Sequence, residues 1–224
     1  MKYMGKRGPK PKESISTEWS ANLAYAIGLL TTDGSLSKDG RHIILVSKDK
    51  EQLQTFIKAL VIKVPISLTR SGYTGKTTTR IQFSNISFYQ FLLTAGLYPN
   101  KTKTIGELNI PSKYFFDFLR GSFDGDGSTY SYFDPRWKSS FMFYTAFASA
   151  SYAHIIWLQK VIHKKIKIKG HITKAKNSSV FQLKYAKKDS VRLLKKMYPN
   201  KKVLCLLRKR LKIEKMLSIV GEHL

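Results

Sequence analysis

The chain has 224 residues, 42% hydrophobic and 12% aromatic, with 40 Lys and Arg against 14 Asp and Glu and a formal net charge of +26. That apolar content excludes a disordered chain, and the single cysteine, Cys205, excludes an internal disulfide and a thiolate zinc site and reads as a small core residue. No apolar run approaches the roughly 20 residues of a membrane span, and the N-terminus lacks the apolar stretch of a signal peptide, so an intracellular soluble protein with no membrane partner is expected.

Residues 1–16 form a basic arm; its GKRGPKPK at 5–12 reads either as a tail or as a minor-groove arm that orders on DNA. Thr17 or Ser20 caps a first helix running to about Leu30. RHIILVS at 41–47 is a short β-branched strand. KEQLQTFIKALVI at 50–62 spaces Leu53, Phe56, Ile57 and Leu60 as a helix does. ISLTR and TTRIQFS flank SGYTGK as a hairpin, and ISFYQFLLTAG at 86–96 is a helix stopped by Gly96. NKTKTIGELNIP at 100–111 is a linker. Ser112 then caps a helix through about Phe123, SSFMFYTAFA at 139–148 is a strand, and HIIWLQKVI at 154–162 is a helix. IKIKGHITK and SVFQLKY form a hairpin, DSVRLLKKMY at 189–198 is a helix, and a basic helix over about 203–219 follows.

The chain is written twice. LYPNK at 97–101 recurs as MYPNK at 197–201, and RIQFSN at 80–85 lies against VFQLKY at 180–185 with the same offset of 100. Internal similarity in one order is the mark of duplication. The fold class is therefore α+β, a pseudo-symmetric α-β-β-α-β-β-α repeated, with halves at 17–99 and 112–224. Within strands, Ile81 and Phe83 alternate with Arg80, Gln82 and Ser84, and Phe181 and Leu183 alternate with Gln182 and Lys184. Ile166, Ile168 and Ile172 likewise alternate with Lys167, Lys169, His171 and Thr173. One face is apolar and the other can bond phosphates and base edges. Arg41, Arg80, Gln82, Lys167, Lys169, His171, Gln182 and Lys184 are the candidate DNA-binding residues, because at +26 a polyanion is the economical partner.

Two apolar runs end alike. AIGLLTTDG and LRGSFDGDG each carry a glycine, Gly28 or Gly121, five residues before an aspartate, Asp33 or Asp126, with glycine next. An interior helical glycine costs about 1 kcal/mol relative to alanine, so matched ones point to close helix approach. Packing Gly28 against Gly121 brings Asp33 and Asp126 together. Their repulsion is relieved by a divalent cation shared with phosphate oxygens, for which Mg2+ is suited.

This doubled motif resembles that of the LAGLIDADG homing endonucleases, the single-chain type with two motifs, over about residues 17–219. The resemblance implies two antiparallel saddle-shaped sheets over double-stranded DNA and two motif helices packed at the centre of a monomer. It also implies metal-dependent cleavage of both strands at a long, asymmetric, near-palindromic site, leaving a staggered break, in the service of intron or intein mobility. Asp33 and Asp126 become the metal ligands, with backbone near Thr32 and Gly125, and Lys101 and Lys201 the catalytic lysines beside Lys103 and Lys202. Mg2+ is the expected cofactor, with Mn2+ substituting and Ca2+ binding without cleavage. Thr31 and Asp124 hold the position of the family's first motif acid, expected to cap or turn the helix end, and Arg120 and Ser122 depart from its apolar consensus. The alternative is a non-cleaving binder on this scaffold, an RNA maturase or a DNA-binding regulator.

Other motifs fail on spacing. DGDGS lacks an EF-hand glutamate, since the twelfth residue from Asp124 is Pro135, and GKT at 75–77 has Arg70 where a phosphate loop needs glycine. The histidines show no metal spacing, and His154 and His163 are expected on helix surfaces. Trp19, Trp137 and Trp157 are expected as core or hairpin anchors.

Overall fold

The computed structural model describes residues 15–70, 75–176 and 178–224. Most of the basic arm and the hairpin tip at 71–74 therefore lie outside the described residues. The first half runs α1 (Ala21–Thr32), β1 (Gly34–Leu36), β2 (His42–Ser47), α2 (Lys50–Leu60), β3 (Ser67–Arg70), β4 (Thr77–Ser84) and α3 (Ile86–Thr94). The second runs α4 (Phe115–Asp126), β5 (Ser128–Asp134), β6 (Trp137–Ser149), α5 (Tyr152–Ile166), β7 (His171–Lys174), β8 (Phe181–Ala186) and α6 (Lys187–Met197). A final helix, α7 (Leu207–Ile219), follows the duplicated pattern. Among the described residues no helix is long and apolar enough to cross a membrane.

Both halves build the same antiparallel sheet, ordered β1-β2-β4-β3 and β5-β6-β8-β7. The alternation sets the faces. Ile43, Leu45 and Ile81 are wholly buried, as are Phe143 and Leu183 in the second sheet. Their neighbours turn the other way, with Val46 opposite Arg80 and Ile44 opposite Gln82, and Ala146 opposite Lys184 and Ala148 opposite Gln182. The β5–β6 hairpin is longer than its counterpart and carries exposed Phe133 and Trp137.

Local chemistry explains the boundaries. Ser20 accepts a hydrogen bond from the Leu23 amide as N-cap of α1, and Asp49 does the same for Glu51 at α2. Ser112 does not cap α4: a 3-10 turn over Ser112–Tyr114 leads into it, and Tyr114 stands at the N-cap without a side-chain bond. The lysine–isoleucine alternation at 166–169 is not a strand. Ile166 ends α5, Lys167 terminates it at φ 56°, Gly170 turns at φ 64°, and β7 begins only at His171. The isoleucines are buried because the helix end and the turn both pack on the core. Lys167 and Lys169 therefore leave the sheet face and stand exposed in the connection. Arg41 also lies just outside its strand, paired with Asp39 at 3.6 Å.

Candidate active site

The two motif helices cross at their glycines. A Cβ on Gly28 would stand 2.2 Å from the Phe118 carbonyl oxygen, and one on Gly121 2.0 Å from that of Tyr25. Nothing larger than hydrogen fits, so α1 and α4 meet backbone to backbone. Their C-terminal ends come together beyond the crossing. Asp33 caps α1 and Asp126 is the last residue of α4. At Gly125 a Cβ would lie 1.9 Å from Thr32 Oγ1 and 2.6 Å from Asp33 Oδ2, so the first acid rests against the residue preceding the second.

Burial raises the pKa of Asp33, partly offset by hydrogen bonds from Gln52 and Thr32 and by the charges of Lys209 and Lys101. Asp126 is the more exposed of the two acids; partial desolvation raises its pKa, and the neighbouring Asp33 charge raises it further. A carboxyl pushed up by a neighbouring carboxylate is what close approach of two acids produces. The donor set fits Mg2+: two hard carboxylates in a glycine-lined cradle. Among the described residues no group of three or more His, Cys, Asp and Glu forms a protein cage. Remaining ligands would be water and phosphate oxygen, the usual company of this ion.

Gln52 is a site residue that sequence reasoning missed. Its Nε2 donates to Asp33 Oδ2 at 2.6 Å, while its Oε1 accepts from Ser47 Oγ at 2.9 Å. A signal existed: Gln52 lies four residues before Phe56, so a polar residue heads the buried stripe of α2.

Two lysines flank the acids, but not the two that the repeat picks out. Lys101 is buried and its Nζ donates to the carbonyl of Gly34, the residue after Asp33. Burial brings its pKa down to about 8, against the pull of Asp33 and Asp126. Lys201 does not join this cluster. It is exposed beside Glu214, Lys215 and Ser218 of α7. The second place is taken by Lys209, whose Nζ donates to the carbonyls of Phe123 at 2.6 Å and Gly127 at 2.7 Å, Gly127 being the residue after Asp126. Burial brings Lys209 to about 8 as well, with Asp124, Asp33 and Asp126 pulling upward. Lys209 escaped detection because α7 lies outside the duplication.

Helix α7 is delivered by acids of both halves. The Leu206 amide donates to Asp124 Oδ2 at 2.8 Å, the Leu207 amide to Glu51 Oε1 at 2.8 Å, and Arg208 Nε to Asp49 Oδ2 at 2.6 Å. Asp124 also accepts from the Tyr25 hydroxyl at 2.7 Å. It ties α1, α4 and the chain entering α7 together and does not cap its own helix. Thr31 bonds back to Ile27 within α1 and has no such reach. Arg120, buried, donates to the carbonyls of Met197 and Leu204 and pairs with Asp117.

The sheets present Arg80, Gln82, Gln182, Lys184 and His171 on the face away from the core. Sequence reasoning overlooked an aromatic ladder there. Tyr130 and Tyr144 stack at 4.9 Å and 13°, Tyr132 and Tyr144 at 6.3 Å and 15°, and Lys184 lies 6.0 Å over Tyr130.

Two sheets of one topology, each entered from a central helix ending in aspartate, define the LAGLIDADG fold. Among solved structures, the homing endonuclease I-WcaI bound to its DNA recognition sequence matches with a TM-score of 0.61 at 13% identity, over 90% of this chain and 88% of that one. Full-length DUF199/WhiA from Thermatoga maritima matches with a TM-score of 0.58 at 18% identity, over 94% of this chain. The N-terminal LAGLIDADG domain of DUF199/WhiA matches at 0.54 and 17% identity, over 88% of each chain. The match spans only 62% of the length of full-length WhiA. These likenesses establish the fold. No protein-family model and no curated protein sequence matches the chain.

Proposed function

We propose that the protein is a monomeric, site-specific double-strand DNA endonuclease that hydrolyses phosphodiesters with Mg2+. The observation that carries this reading is the convergence of Asp33 and Asp126, each with a lysine, Lys101 buried and Lys209 half-buried, on the carbonyl of the glycine that follows it. A binding protein has no need to place two mutually repelling carboxylates among cations at the centre of a basic molecule. Bound there, the cation would lower the pKa of a water and offset charge on the leaving oxygen. Asp33 and Asp126 would hold it, with backbone near Thr32 and Gly125. Gln52 fixes the rotamer of Asp33. Lys101 and Lys209 supply positive charge toward a scissile phosphate. The two sheet faces differ in composition, which supports an asymmetric target; the LAGLIDADG likeness supports a long site cut with a stagger. Mn2+ would replace Mg2+, and Ca2+ would support binding alone.

The test is selection of cleaved sites from a randomised DNA library with Mg2+, comparing the natural chain with Asp33→Asn and Asp126→Asn. Cleavage that disappears in both variants while DNA binding persists is expected. Binding without cleavage by the natural chain would favour the second reading, a DNA-binding regulator or an RNA maturase, which the WhiA likeness keeps in view. Binding should also weaken roughly 10³–10⁵-fold between 50 and 200 mM salt if six to ten phosphates are contacted.

A further inference from the structure

The two acids are not held alike. Asp33 has the Gln52 amide on it, whereas among the described residues Asp126 draws no side-chain hydrogen bond. The equivalent of Gln52 is identifiable from local geometry. Gln52 stands three residues after the N-cap Asp49, whose amide bonds Ser47 Oγ at 3.0 Å. His154 stands three residues after the N-cap Ser151, whose amide bonds Ser149 Oγ at 3.1 Å. His154 is only 3% exposed and heads the buried row Leu158, Ile162 and Ile166; the expected surface position is wrong because that row is the core stripe of α5. Its ring does not reach Asp126 directly. Nδ1 is turned 2.8 Å to the carbonyl of Gly106 in the linker.

Between them lies a cavity of about 50 Å³ lined by Asp126, His154, Ser122, Ser149 and Thr32 among others. Ser122 Oγ is buried and has no hydrogen-bond partner among the described residues. A space of this size admits one or two waters, and a water is retained where two to four polar groups meet it. The hydrogen bonding balances. A carbonyl only accepts, so Nδ1 of His154 carries the proton and Nε2 is left as an acceptor. Ser122 has a hydroxyl to donate, and an ionised Asp126 accepts. A water in the cavity would receive one bond from Ser122 and give two, to His154 Nε2 and Asp126. Burial lowers the pKa of His154, against the hydrogen bond to the Gly106 carbonyl, and the Lys101 charge lowers it further.

We propose that His154 and Ser122 hold an ordered water against Asp126, as positioning residues that do through water what Gln52 does directly for Asp33. The two acids then differ in how firmly they are fixed, and, on the endonuclease reading above, the two DNA strands are cut at different rates. The hydration claim itself does not depend on that reading.

Two measurements on the full chain separate these claims. In the metal-free protein, a high-resolution crystal structure should show water within hydrogen-bond distance of His154 Nε2, Ser122 Oγ and Asp126. Long-range 1H–15N spectra should show His154 as the Nδ1–H tautomer. A dry cavity or an Nε2–H tautomer overturns the proposal whether or not the protein cuts DNA. On supercoiled plasmid carrying a selected site, Ser122→Ala and His154→Leu should slow the cutting of one strand by roughly tenfold or more, so that nicked circles accumulate. His154→Gln should restore the rate by offering the amide that Asp33 already has. Equal slowing of both strands, or unchanged rates with Ser122→Ala, overturns the positioning role. No cutting by the natural chain overturns the nuclease reading and leaves the hydration claim to the structural measurement.

Discussion

Gly28 and Gly121 are in direct backbone contact: a Cβ on Gly121 would stand 3.1 Å from the Gly28 Cα, with the Tyr25 carbonyl nearer still at 2.0 Å. The obstructing atoms are backbone in a helix and cannot rotate aside. Gly121→Ala must push α1 and α4 apart, and a loss of about 3 kcal/mol is expected, the upper range for overpacking. Urea unfolding measures it. Gly106→Ala, where a Cβ meets nothing within 4 Å, should shift stability by less than about 0.5 kcal/mol.

The same contact shows what sequence can carry. Gly28, Gly121, Asp33 and Asp126 are legible because helix spacing fixes which residues share a face, and the duplication fixes which residues correspond. Gln52 and His154 fall short of this. Each is a polar residue at the head of an apolar stripe, and only the tertiary approach of α2 to Asp33, and of α5 to the cavity behind Asp126, gives it a partner. Lys209 is harder still. Nothing local to α7 says that its first turn reaches Phe123 and Gly127, since the anchors that bring it there, Asp49, Glu51 and Asp124, lie far away in the chain. Lys167 and Lys169 failed for the opposite reason: a helix end followed by a turn can mimic the period of a strand.

Gly125 offers a way to disturb the acids with less damage to the helix crossing than a substitution at Gly121 brings. Its Cβ would meet Thr32 Oγ1 at 1.9 Å and Asp33 Oδ2 at 2.6 Å, which can rotate aside, and Thr32 Cβ at 2.7 Å, which moves only with its backbone. The end of α1 must shift slightly, so Gly125→Ala should cost on the order of 1–2 kcal/mol, less than Gly121→Ala. It should displace Asp33 from Gln52 and lower the cleavage rate by roughly tenfold or more. Parallel measurement of melting temperature and cleavage checks this. Full activity would mean that Asp33 tolerates the displacement.

Lys209 and Lys201 make a matched pair of substitutions. Lys209→Met removes a cation from beside both acids, and a fall in cleavage of roughly 10²–10³ is expected, the loss typical of one preorganised electrostatic group. Lys201→Met, on the exposed flank of α7, should leave the rate within about twofold. Burial holds Lys101 and Lys209 at about 8, so both are charged below that pH and lose their protons above it. Single-turnover cleavage at saturating metal should turn down above pH 8.

Asp124 predicts a pH dependence of stability. Burial raises its carboxyl to about 6, against hydrogen bonds from Tyr25 and Leu206 and the charges of Lys209 and Arg120. One of its oxygens is buried without a partner among the described residues. The folded-state value lies above the ordinary one, so the folded chain holds this proton more tightly than the unfolded chain. The resulting stability is fully present below about pH 4 and is lost as pH rises through 6. Asp124→Asn keeps the shape and an acceptor for Tyr25 and Leu206 but has no charge to bury. From pH 7.5 to pH 4.5 the natural chain should gain about 2 kcal/mol relative to Asp124→Asn. Urea unfolding of both proteins at the two pH values decides it: a constant difference would mean that the carboxyl titrates near its ordinary value, with water reaching the joint between α1, α4 and the chain entering α7.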